Sequence, residues 1–359
     1  MTKTPLRRWT LPTLLFLILT VVSAGFSFAE NVSAGPAGKI ADLSGVVYFK
    51  GKDVLAWSLA AKGQGLNDGD AVKTGSDGRA QLLFSDGTKL MLGNETEIEI
   101  TKFLTKGRNR AAVLTLSTGK VRAVVKKFSG KSDVQVKTPT AVAGVRGTDF
   151  IVMNQGSANV MFGESGKVEA SGDGGGKAVP LTAGTMTENT QGVAPIAPVK
   201  VEPGTPLEAA RKQLEAVTDV SAPVEWEEAG KLPLILARWN INYGNYLAES
   251  KRYKEALEVF QIAIDLTETP DVRADAHFSR GTVFSLYLNE PAKALAEYEA
   301  VIEKYPSLPA VENAIYFSAK LNVELGFKEA AKKLFRAYLE RFPQGRHKDS
   351  AETLLKTLE

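Results

Sequence analysis

Two patterns of apolar residues divide the chain. From about 38 to 190 they come in short runs broken by Gly, Asp and Asn; after about 232 they recur with a period near 3.6. In the first part, Gly45–Phe49 is one strand candidate. Arg79–Phe84 and Lys89–Leu92 flank Ser85-Asp86-Gly87-Thr88, where Asp-Gly predicts a hairpin with a type I′ turn. Further strands are expected at Glu97–Phe103, Ala112–Ser117, Lys120–Val125, Asp133–Lys137, Asp149–Met153, Ala158–Phe162 and Lys167–Ala170. Short strands at such spacing predict an all-β domain over 38–190: a sandwich, a barrel or a β-solenoid. Residues 191–232 hold Pro195, Pro198, Pro203, Pro206 and Pro223 and are expected to be a linker, with one helical stretch at Leu207–Val217. Residues 233–359 predict an all-α second domain, so the protein is multidomain.

The helical part repeats. Ala256, Ala294 and Ala331 recur at 38 and 37 residues, each followed four positions later by an aromatic: Phe260, Tyr298 and Phe335. Pro306 and Pro343 stand 12 residues beyond their alanines and are expected to end the second helix of a pair. Small alanines let paired helices approach, and the aromatic is expected to wedge against the next pair. Three pairs and a capping helix at His347–Glu359 account for the segment.

Composition narrows the function. The 359 residues are 44% hydrophobic and 24% charged, which excludes a disordered chain, a collagen-like fibre and a polytopic membrane protein. Residues 1–29 read as an export signal, with basic Lys3, Arg7 and Arg8, apolar Leu14–Val22 and small residues around Ser27-Phe28-Ala29. An uncleaved anchor is the alternative, and only then is a membrane a partner. The formal charge of +3 comes from that segment, since the rest carries 41 basic and 41 acidic side chains. No basic cluster suits a phosphate backbone, so nucleic acid is not an expected partner. With no cysteine there are no disulfides, thiolate zinc sites or thiol catalysis. A bacterial envelope, as a periplasmic protein, is the expected address.

The ordered turns Leu66-Asn67-Asp68-Gly69-Asp70, Thr74–Ala80 and Phe84–Thr88, with Thr138-Pro139-Thr140-Ala141-Val142-Ala143-Gly144-Val145-Arg146-Gly147-Thr148-Asp149-Phe150, resemble the FecR domain over about 120 residues. That resemblance implies an envelope binding or regulatory module. The founding regulators carry a cytoplasmic anti-sigma part ahead of a membrane span, and here about ten residues precede the apolar stretch, so that part is expected to be missing. The helical half resembles the tetratricopeptide repeat, TPR, over about 235–345. This implies a concave groove lined by the first helix of each pair, with Arg238, Asn242, Asn245, Asn313, Tyr316 and Lys320 facing a protein or peptide partner.

Catalytic constellations are scarce. The two histidines, His277 and His347, stand 70 residues apart and are expected on helix surfaces rather than on a metal. Ser171–Ala178 is glycine-rich, but its glycine spacing and Ala178 do not fit a phosphate loop. In the FecR motif, Arg146 and Asp149 are expected to pair locally, or to hold a carboxylate or sugar. Gly144, Gly147 and Thr148 are read as structural, and so are the Asp-Gly turns. No catalytic residue, metal or cofactor is indicated. The expectation is a non-enzymatic periplasmic scaffold whose TPR groove binds a protein or peptide while the FecR-like domain docks an envelope component. An envelope signalling regulator and a module binding cell-wall polysaccharide are the alternatives.

Overall fold

The computed structural model describes residues 1–2, 36–106, 108–173 and 176–359, so the export signal expected over 1–29 lies outside the described residues apart from Met1 and Thr2. The first strands are β1 (Gly38–Ser44), β2 (Val47–Lys50), β3 (Ser58–Leu59), β4 (Gly65–Leu66), β5 (Ala71–Thr74), β6 (Arg79–Phe84), β7 (Lys89–Leu92), β8 (Glu97–Lys106) and β9 (Asn109–Val124). There follow β10 (Lys131–Lys137), β11 (Ala141–Val145), β12 (Asp149–Gln155), β13 (Ala158–Ser165), β14 (Lys167–Gly172), β15 (Val179–Thr182), β16 (Thr185–Asn189) and β17 (Val199–Lys200).

Hydrogen bonding arranges them as two facing sheets that share β9. One runs β4-β1-β6-β7-β9-β12-β13-β16-β17. The other runs β3-β2-β5-β8-β9-β10-β11-β14-β15, antiparallel except for the β9–β10 pair. The all-β expectation thus resolves to a sandwich. The two strands expected at 112–117 and 120–125 are one strand that changes sheets at Gly119. The backbone there has φ +105°, and a Cβ would stand 2.3 Å from Thr96 Cα, so glycine is required. Alternate residues of both sheets fill the interior. Leu82, Leu90, Phe150 and Val152 meet Val72, Ile98, Leu114, Val134 and Val136, all buried.

The hairpin β6–β7 corrects the turn expected from Asp-Gly. Only Gly87 has positive φ, +81°, and the Phe84 amide donates to the Thr88 carbonyl across a three-residue loop, so the turn is not type I′. Asp86 is more than a turn former. Its carboxylate is buried and pairs with the equally buried Arg110 at 3.0 Å.

The helices are α1 (Pro206–Thr218), α2 (Trp226–Gly230), α3 (Leu232–Glu249), α4 (Tyr253–Leu266), α5 (Pro270–Leu286), α6 (Pro291–Lys304), α7 (Ala310–Glu324), α8 (Lys328–Arg341) and α9 (Lys348–Leu358). Helix α1 starts where Thr205 Oγ1 accepts from the Glu208 amide and Pro206 takes the first turn. Residues 191–232 are packed against the sandwich. Leu207, Ala210, Leu214 and Val217 of α1 are buried, and Arg79 donates to the carbonyls of Asp219 and of Ala222, the latter at 2.7 Å.

Helices α3 to α8 form three antiparallel pairs closed by α9. In each of the first two pairs, the aromatic of the second helix sits over a glycine of the first. A Cβ on Gly244 would meet the Phe260 ring at 2.6 Å, and one on Gly281 the Tyr298 ring at 2.5 Å. Tyr298 also stacks toward Phe317 of the next pair, 6.1 Å away. The solenoid lies on the first sheet. Ile151, Met153, Val160, Phe162 and Met186 on its outer face share one core with Leu207, Leu214, Leu236, Phe260 and Ile264. That sheet is therefore the helix-side sheet, and the other, whose far face the helices leave uncovered, is the outer sheet.

Candidate functional site

Two surfaces and one buried pair carry the chemistry that the fold leaves unassigned. The first surface lies on the solenoid. Arg238, Asn242 and Asn245 are exposed on α3, and Arg238 and Asn242 line a cavity of about 290 Å³ with Ile241, Asp271, Val272 and Asp275. Arg238 pairs with Asp271 at 3.2 Å. Burial and the neighbouring Asp271 push the Asp275 carboxyl above its ordinary range. The other three candidates sit apart. Tyr316 is buried, with its ring stacked 4.1 Å from that of His347, and His347 Nε2 bonds Asn313 Oδ1 at 2.9 Å. Lys320 lies over the Phe317 ring at 6.0 Å. His277 also departs from the surface position expected for it. Its side chain is only 14% exposed, and Nδ1 meets Glu297 Oε2 at 2.8 Å, the same carboxylate that Arg280 engages at 3.1 Å. A carboxylate between α5 and α6 thus draws the ring inward.

The second surface contains the FecR motif. Arg146 and Asp149 do not pair, because they leave the turn on opposite sides. Asp149 faces Arg122, which reaches it through Nε and Nη2 at 3.0 and 2.8 Å and extends Nη1 to Glu215 of α1 at 2.7 Å. These two carboxylates hold the Arg122 guanidinium charged. Asp149 is therefore part of a clamp that ties the sandwich to α1, with Arg211 and Glu164 at 2.9 Å as a second tie. Truncation of Arg122 to alanine is expected to cost about 1–3 kcal/mol, since it leaves Asp149 without its fork. The urea midpoint should fall, and amide exchange over 206–218 should accelerate.

Arg146 points the other way, onto the outer face of the outer sheet. That face holds a trough of about 690 Å³ lined by Asp133 and Gln135 of β10, Val142 and Gly144 of β11, and Lys167, Glu169 and Ser171 of β14. Gly144 lies opposite both Gln135 and Glu169 and lowers the floor. A second hollow of about 300 Å³, with Lys127 and Phe128, shares Lys131, Ser132 and Arg146 with it. Gly147 has φ +68°, and a Cβ on it would strike Lys127 Cγ at 2.5 Å, so glycine lets Lys127 lie across the turn beside Arg146. Thr148 is buried behind the turn.

The buried pair lies between the sheet and the solenoid. Asn240 Nδ2 of α3 donates to Glu188 Oε2 of β16 at 3.1 Å. Glu188 is 1% exposed, and burial pushes its carboxyl up to about 8, opposed only by that hydrogen bond. Glu188 Oε1 and Asn240 Oδ1 have no partner among the described residues. A neutral carboxylic acid carries no charge for burial to penalise, and its O–H is a donor that the carboxylate lacks. Nothing in the sequence around Glu188 distinguished it from a surface carboxylate, because its burial depends on a helix some 50 residues away.

Comparison with known proteins identifies one family, over part of the sandwich. Residues 70–169 match the family described as FecR protein, so this part of the chain is a FecR domain. No curated protein matches the chain. Two crystal structures of a protein from Parabacteroides distasonis ATCC 8503, assigned by description rather than by assay as an anti-sigma factor, align at 18% and 19% identity. They cover 40% and 39% of this chain, with TM-scores of 0.33 and 0.32. The chain spans only 64% and 62% of those proteins. The first TPR of Spaghetti (RPAP3), bound to an HSP90 peptide, aligns at 19% identity over 34% of this chain and 90% of that one, with a TM-score of 0.29. The FecR family is of a non-enzymatic type. FecR proteins are envelope-associated, and among the described residues no helix is long and apolar enough to cross a membrane.

Proposed function

We propose that this protein is a non-enzymatic adaptor of the bacterial envelope, exported to the periplasm by residues 1–29. In this reading the solenoid groove holds a peptide segment of a protein partner, and the FecR domain docks an envelope component. The observation that carries it is the shared core: the solenoid covers the helix-side sheet, leaving the α3–α5 hollow and the far side of the sandwich as separate open surfaces on one compact body. With Asp271 and Asp275 against the single Arg238, the hollow suits a peptide with a basic side chain better than an acidic tail.

The test is crosslinking from position 242 of the full chain, because cutting the solenoid away would expose Phe162 and Val160. Wild type should retrieve a discrete protein, and Asp275→Asn should reduce its yield about tenfold by removing a facing charge. Equal recovery with both would remove the groove from the reading. The FecR match favours a second reading, an envelope signalling regulator. A mature N-terminus at Glu30 in the periplasmic fraction would remove a membrane-anchored regulator.

A further inference from the structure

We infer that the trough on the outer sheet, centred on Gly144 and Arg146, is a binding site for a carboxylated glycan. This names the ligand class of the docking surface proposed for the FecR domain and rests on that reading.

The first ground is charge. Lys127, Lys131 and Arg146 converge on the two hollows and pair with no carboxylate among the described residues, whereas Lys167 is held by Glu169 at 2.6 Å. The opposing acid is Asp133, which Gln135 Nε2 engages at 3.0 Å. The lining thus has an excess of positive charge and one guanidinium fork free to grip a carboxylate through two parallel bonds.

The second ground is a hydroxyl aimed by its neighbours. Ser132 Oγ, in the wall common to both hollows, accepts from Arg110 Nε at 3.0 Å and Nη2 at 2.8 Å. Both acceptor positions of that oxygen are filled, so its proton is left to donate into the cleft. Arg110 is fixed for this by its buried pair with Asp86 and by the Phe128 ring 5.0 Å away.

The third ground is shape, and it selects a glycan over a peptide. Strands β10, β11 and β14 each have both edges paired, so no strand can be added there. The lining offers hydroxyl, amide and charged groups from Ser132, Gln135 and Ser171 to Arg146, beside Val142 and Val145. A shallow trough that sets Val142 and Val145 beside these polar groups, with a bare floor at Gly144, accepts both the apolar face and the hydroxyls of a sugar ring, and its volume falls in the usual range for a ligand site.

The test is calorimetric titration of the full chain with oligogalacturonate, its fully methyl-esterified form, and poly-glutamate. Saturable binding of oligogalacturonate below about 1 mM is expected, with none for the ester. Arg146→Gln should weaken it about tenfold or more, and Lys254→Gln on the exposed face of α4 should leave it unchanged. Arg146 is exposed, so an unaltered melting curve will show that the variant folds. Absence of saturable binding, equal affinity of wild type and Arg146→Gln, or tighter Arg146-dependent binding of poly-glutamate would each overturn the proposal. None of these outcomes touches peptide capture by the α3–α5 hollow, which is read with a different probe.

Discussion

Replacing Glu188 with glutamine should stabilise the protein, more so as the pH rises. In the unfolded chain this carboxyl titrates near 4.5, and in the folded protein near 8. Below the lower value both states hold the proton. Between the two only the folded state does, so stability falls as pH rises, and above about 8 the loss is complete. The interval corresponds to about 3 kcal/mol at pH 7 and about 5 kcal/mol at pH 9. Glutamine keeps the shape, carries no proton to lose, and supplies a carbonyl for Asn240 Nδ2. Urea unfolding of wild type and variant at pH 5, 7 and 9 checks this. The curves should diverge with pH, and parallel curves would mean that Glu188 is hydrated in solution.

The strand-and-turn pattern and the 37–38-residue repeat were legible because each is local. Asp-Gly marks a turn whatever surrounds it, and an alanine followed by an aromatic four residues on marks a helix pair. What was not legible depends on distant partners. Asp86 reads as a turn residue until Arg110 is brought beneath it. Asp149 reads as the mate of Arg146, three residues earlier, until β9 supplies Arg122. The prolines after 191 read as a spacer because proline forbids ladders, but it permits the first turn of a helix, and α1 begins at Pro206. Gly244 and Gly281 carried a usable signal: they lie 16 and 17 residues before their aromatics, a spacing at which facing helices meet. The candidate groove was half legible, since the helical period places Arg238 and Asn242 outward but does not show α9 bringing His347 onto Tyr316.

Truncating Phe260 and Phe335 to alanine should separate the two halves of the solenoid. Both side chains are fully buried, and the loss of so large a ring costs about 3–5 kcal/mol. They belong to different cores. Phe260 stands over Gly244 in the core that joins α1, α3 and α4 to the sheet, whereas Phe335 lies among Tyr316, Tyr338 and Ala351 at the far end. In a linear array each unit is stabilised only by its neighbours, so damage spreads as far as the shared core does. Phe260→Ala should therefore loosen amide protection in α3, α4 and the outward-facing residues of β12 and β13 together. Phe335→Ala should loosen α7, α8 and α9 and leave β12 and β13 protected. Gly244→Val attacks the same contact from the opposite side, because its branched side chain must displace the Phe260 ring, and it should reproduce the Phe260→Ala exchange pattern at a cost of about 1–3 kcal/mol. If Phe335→Ala exposed β13 as much as Phe260→Ala does, the two cores would be one cooperative unit.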